Sequence, residues 1–134
     1  MSIDVPPPDE VTRPWWEATG RRELVLQTCS RGHRQHPPRA VCTTCGDTAG
    51  LGWSTATGRG SVDACTVVHR APAPGFEPPY LVARIRLAEG PVLLSTVVTD
   101  DLDAVAIGDP VTLDWRPLAD GRALPVFVPR SEES

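Results

Sequence analysis

The residues of this chain best suited to chemistry are its four cysteines and three histidines, and five of these seven lie between positions 29 and 45. Cys42-Thr-Thr-Cys45 followed by Gly46 is a C-x-x-C-G knuckle. Two thiolates at that spacing hold one tetrahedral ion, and the glycine lets the chain turn beneath it. A regular ribbon would repeat C-x-x-C, but the position three after Cys29 is Gly32, with His33 and His36 close by. The pattern predicts a zinc ribbon in which one thiolate is lost or replaced by an imidazole. A closed structural zinc site needs four ligands. Cys29, Cys42 and Cys45 supply three, and His33, in a Cys29-x3-His33 loop, is the favoured fourth. His36 would close a longer loop and precedes Pro37-Pro38, which stiffens its backbone. Water as the fourth ligand, or a ribbon without metal, are the other readings. No carboxylate pattern typical of a metalloenzyme lies near, so the zinc is expected to be structural.

Catalytic residues are not expected. Cys65 lies within a strand-like run, and His69, four residues on, would stand about 13 Å away along an extended strand, too far for a dyad. No Gly-x-Ser-x-Gly elbow or paired-carboxylate motif is present.

The elements that carry these residues are mostly strands. Thr12 or Arg13, Pro14 and Gly20 bracket a short helix bearing Trp15 and Trp16. Adjacent helical positions point about 100° apart, so one tryptophan is expected against the body of the chain and the other is free for a partner. Residues 23–28 lead into the ribbon as a strand. Runs at 53–56, 61–70, 80–87, 92–98, 111–117 and 124–128 are rich in Val, Leu, Ile, Thr and Trp, with Gly- and Pro-containing breakers between them. Glu89-Gly90 and Asp120-Gly121 read as hairpin turns. Residues 100–108 suit one or two helical turns. About five strands with a helix after the third predict an OB-fold barrel, with a sandwich as the alternative. The division that follows is a lead and helix over 1–22, a ribbon over 23–50, a barrel over 51–130 and a tail over 131–134.

The net charge is -4 and the pI about 5.3. A phosphate-backbone binder carries a basic footprint, and none is visible, so no nucleic acid is expected. No apolar run reaches the roughly 18 residues of a membrane span, and the N-terminus lacks the pattern of a signal peptide. No membrane association and a cytoplasmic location are therefore expected.

Taken in order, Pro14-Trp15-Trp16, Cys29, His36-Pro37-Pro38-Arg39, Cys42-Thr-Thr-Cys45-Gly46, Gly58-Arg59-Gly60, Thr66–Arg70, Pro74–Tyr80, Leu87–Gly90 and Ile107–Val111 resemble the zinc-ribbon/OB-fold accessory proteins of thiolase-like enzymes. The resemblance runs from about residue 12 to 129. It implies a rubredoxin-like ribbon, a structural zinc and a non-catalytic role. It further implies a hetero-oligomer with a thiolase-like enzyme acting on acyl-CoA carbon–carbon bonds, such as a thiolase, a lipid-transfer-protein-like aldolase or an acyltransferase. Such partners belong to lipid metabolism, and acyl-CoA would sit at the shared interface. The family ribbon carries four cysteines, so the transfer yields Cys29, Cys42 and Cys45 and leaves the fourth ligand open. Trp15, Trp16, Phe76 and Tyr80 are candidate partner anchors, and Arg59 and Arg70 candidate contacts for CoA phosphates. A nucleic-acid-binding OB protein and a stand-alone acyl-CoA hydrolase or transferase are the competing classes.

Overall fold

The computed structural model describes residues 5–130. The tail at 131–134 and the first four residues of the lead lie outside them. A single helix, α1 (Arg13–Gly20), opens the fold. Pro14 suits its first turn, but the capping differs from expectation: the Thr12 side chain does not cap the helix. Asp9 ties down the turn that leads into the helix, its Oδ1 accepting from the Val11 and Thr12 N–H groups at 2.9 and 2.8 Å. The helix ends at Gly20, yet the left-handed residue beyond it is Arg22, at φ 60°. The Arg22 guanidinium donates to the Thr19 carbonyl at 2.9 Å, which ties this residue to the helix end.

Two sheets follow. In the first, β1 (Val25–Thr28) lies between β2 (Arg34–Gln35) and β3 (Gly52–Thr55), all antiparallel. Trp53 pairs with Gln27 there, so it belongs to the ribbon sheet and not with the barrel aromatics. The second is a closed five-stranded barrel of β4 (Arg59–Val68), β5 (Tyr80–Leu87), β6 (Val92–Val97), β7 (Pro110–Pro117) and β8 (Ala123–Pro129), in the order β4-β5-β6-β8-β7. A single 3-10 turn, Leu102–Ala104, fills the position after the third barrel strand, the shorter of the two expected outcomes. This is the OB-fold.

Alternation along the strands builds the core. On β5, Leu81, Ala83, Ile85 and Leu87 are buried while the residues between them are more exposed. β4 needs a register shift between Val62 and Ala64 to curve around the barrel. One hydrophobic core runs through all parts: Trp15 and Ala18 of α1, Leu24–Leu26 at β1, and Val62, Ile85, Val97, Val111 and Phe127 of the barrel. The ribbon is therefore packed onto the barrel and not a detached module.

Candidate metal centre and the adjoining groove

Two tight turns bring four ligand atoms together. The first joins β1 to β2. The Cys29 N–H donates to the His33 carbonyl and the Gly32 N–H to the Cys29 carbonyl, both at 3.0 Å, with Gly32 at φ 84°. In the second, the Gly46 N–H donates to the Cys42 carbonyl at 2.8 Å, with Gly46 at φ 79°. A Cβ at either glycine would meet nothing within 4 Å, so the positive φ and not the available space demands glycine there.

Cys29, His33, Cys42 and Cys45 each offer one atom, and all four atoms lie within 4.8 Å of one another. Cys29 Sγ and Cys45 Sγ are 3.8 Å apart, and His33 Nδ1 is 3.3 Å from Cys29 Sγ and 3.8 Å from Cys42 Sγ. Zinc bonds of about 2.3 Å to sulfur and about 2.0 Å to nitrogen at tetrahedral angles separate sulfurs by roughly 3.8 Å and sulfur from nitrogen by roughly 3.6 Å. The spacing and the soft donor set thus fit a closed zinc site. This chain carries a structural zinc centre.

Polar contacts, centred on the buried Gln27, hold the two turns in place. Gln27, only 5% exposed, donates from Nε2 to the Arg39 carbonyl, and its Oε1 accepts from the Arg39 N–H and from Gln35 Nε2. Gln35 in turn donates to the Val41 carbonyl and accepts from the Thr43 N–H and hydroxyl. Asp47 links the turns: its carboxylate accepts from Ser30 Oγ at 2.8 Å and from the Ala49 and Gly50 N–H groups at 3.1 Å. Hydrogen bonding, led by the Gly50 N–H and the Ser30 side chain, holds its pKa down at about 2. The Cys45 N–H, more than that of Thr44, lowers the Cys42 thiol to about 6. At Cys45 the Asp47 N–H acts in the same direction, but burial and the neighbouring Cys42 and Cys29 sulfurs outweigh it and the net shift is upward. A first thiolate at Cys42 suits metal capture.

His36 lies apart from the four-atom cluster. Its ring sits against Trp15, with centroids 5.8 Å apart, and burial lowers its pKa to about 4. Trp15 and His36 both line a groove of about 540 Å³ together with Phe76 and Tyr80, whose rings stack at 5.6 Å. Trp16 packs edge-on to Trp15 at 4.8 Å and lies under the Arg122 guanidinium at 4.7 Å. Arg59 and Arg70 are exposed, stand at opposite ends of β4, and do not line the groove. Cys65 packs against the core. Sequence reading missed Arg116 and the β6 and β8 residues that border the groove; only the barrel closure brings them beside residues 75–80.

Comparison with known proteins gives a consistent result. Residues 16–49 match the family described as "ChsH2, rubredoxin-like zinc ribbon domain" and residues 53–116 that described as "ChsH2, C-terminal OB-fold domain". The chain is 31% identical to a "DUF35 domain-containing scaffold protein" of Pyrococcus furiosus, over 81% of this chain and 80% of that one. It is 41% identical to a "Probable enoyl-CoA hydratase alpha subunit" of Thermomonospora curvata, over 86% of this chain but only 36% of that protein's length. Among solved structures it is similar to the "Ltp2-ChsH2(DUF35) aldolase", with a TM-score of 0.85, 37% identity, and coverage of 93% of this chain and 98% of that chain.

Proposed function

The chain belongs to the ChsH2-type zinc-ribbon and OB-fold (DUF35) family, and from that premise we propose that it is a non-catalytic accessory subunit of an acyl-CoA enzyme. The partner in this reading is a thiolase-like enzyme that makes or breaks carbon–carbon bonds of acyl thioesters. The observation that carries it is the near-complete, 37% identical match to a chain of the Ltp2-ChsH2(DUF35) aldolase. Cys29, His33, Cys42 and Cys45 would hold the zinc, whose role is to fix the fold of the ribbon. The ribbon then presents α1 and the groove face as one rigid surface. Trp16, Phe76 and Tyr80, partly buried and rich in apolar area, are the proposed anchors, with Trp15 behind them. Arg59 opens β4 and Arg70 lies two residues beyond its end, so each is proposed as an independent CoA-phosphate contact. The proposed division is a lead and helix over 1–22, a ribbon from 23 that takes in β3 (Gly52–Thr55), and a barrel from β4 onward, and the proposed location is the cytoplasm.

The test is co-expression with a thiolase-like protein, followed by size exclusion and an acyl-CoA cleavage assay. A stable complex with turnover, and none from this chain alone, is expected. Turnover by the isolated chain, or no complex with such proteins, would overturn the reading.

A further inference from the structure

The barrel is least closed between β6 and β8, and the sequence of β8 supplies the cause. These strands share one residue pair, Val97 with Phe127, against six between β5 and β6 and seven between β7 and β8. In that parallel register the Val98 N–H donates to the Phe127 carbonyl at 2.7 Å, and the ladder matches the Phe127 N–H to the Thr96 carbonyl. Two residues along in either direction, the donors due to the Leu94 and Val98 carbonyls would come from Pro125 and Pro129. Proline has no N–H to give. Ser95 Oγ donates to the Pro125 carbonyl at 2.8 Å, so a side chain takes the place of the missing ladder there.

The Leu94 carbonyl therefore lies on an open strand edge. The Leu87 N–H donates to the Pro91 carbonyl at 2.9 Å, so by alternation the main-chain groups of Leu93, Ser95 and Val97 face β5 and those of Leu94 face β8. The groove runs along this edge: residues 93–99 line it one after another, where a sheet face would contribute alternate residues only. Such a run spans roughly 20 Å of extended chain. Leu94 and Val98, at 71% and 56% exposure, border the slot on β6, and Leu124 borders it on β8. The charged lining residues are Glu77 and Arg116, both exposed. The Arg116 guanidinium donates to the Gly75 carbonyl at 3.2 Å and has no acidic partner among the described residues.

We propose that this slot receives an extended segment of the partner polypeptide. The segment pairs with β6 at Leu94, lays apolar side chains on Leu94, Val98 and Leu124, and sets a carboxylate against Arg116. The inference rests on the subunit reading above and adds the mode of docking to it. An open strand edge is completed by the main chain of another strand, whose N–H groups recur every second residue along one side. A hydrocarbon chain has no donor for the Leu94 carbonyl, and Leu94 is exposed enough for a partner to reach it. A guanidinium without an acid, beside apolar walls, is complementary to a segment that brings its own carboxylate. Phe76 and Tyr80, proposed above as anchors, line the same slot, so the docked strand continues that surface.

The experiment is a calorimetric titration of the full, zinc-loaded chain with a thiolase-like protein, joined to hydrogen-exchange mass spectrometry of both components. One partner segment of about six residues should gain amide protection on binding, alternate apolar residues and carry an Asp or Glu. Leu94→Glu and Arg116→Glu should each weaken the complex at least ~10-fold and remove that protection, with zinc content unchanged. Arg116→Lys should keep most of the affinity. Leu94 is so exposed that its variant is expected to fold, and Val98→Glu is a second probe of the same wall. Full affinity in all three Glu variants would overturn the proposal and leave the subunit reading standing. Protection of a helical partner surface in place of one extended segment would do the same. Self-association of the chain alone that Leu94→Glu abolishes would make a second copy the occupant and overturn the proposal too. Failure to join any thiolase-like protein is the separate outcome that removes the subunit reading, and the proposal with it.

Discussion

The division of labour between His33 and His36 is the sharpest point at the residue scale. His33 Nδ1 lies within 4 Å of two cysteine sulfurs, whereas the His36 ring sits tilted against Trp15. His33→Ala should therefore lose most bound zinc and His36→Ala should keep about one zinc per chain, as elemental analysis will show. The reverse result would reassign the ligand. His36 also predicts a pH dependence. Burial holds its pKa at about 4 against an ordinary 6.5, so the unfolded chain binds a proton that the native chain lacks between those values. Stability is then fully present above about pH 6.5 and falls as pH drops toward 4. Urea unfolding of the native chain and His36→Phe at pH 7 and pH 5 should differ in pH response by about 1–2 kcal/mol. Parallel losses in both proteins would remove His36 as the cause.

Among elements, the contact of α1 with β8 holds the helix on the barrel. Thr19 is fully buried; its hydroxyl donates to the Trp16 carbonyl at 2.6 Å and accepts from the Ala123 N–H at 3.2 Å. Thr19→Val keeps the volume but leaves that buried N–H unpartnered. A loss of about 1–3 kcal/mol in denaturant unfolding is expected. A loss below about 0.5 kcal/mol would mean that water or a backbone shift replaces the hydroxyl. The helix was readable from Pro14 and Gly20, but this contact was not, since the partners lie 104 positions apart.

For the whole molecule, the continuous core through helix, ribbon and barrel ties the zinc turns to the same packed body as the proposed interface. Phe76 and Tyr80 sit in the loop and strand beside the groove, remote in sequence from the zinc turns. Replacing both by alanine should weaken the complex with a thiolase-like partner by at least ~1–2 kcal/mol while leaving zinc content and fold intact. Unchanged affinity in a pull-down titration would move the interface elsewhere on the surface.

Local chemistry made much of this legible. The Cys-x-x-Cys-Gly knuckle, the alternating strands and the breakers between them specified a zinc ribbon and an OB barrel, because metal spacing and strand periodicity are short-range properties. His33 could be favoured from its spacing, but spacing alone could not separate it from His36. The difference depends on where the β1–β2 turn directs one ring and where Trp15 receives the other. Trp53 went to the ribbon sheet because β1 needed a second neighbour, and strand propensity does not specify a partner. The groove was invisible for the same reason. Pro125 marks where a ladder must stop, yet only the closed barrel brings that gap beside Phe76, Trp15 and His36. Burial and the exposure of Leu94 are properties of long-range packing, which a linear pattern does not encode.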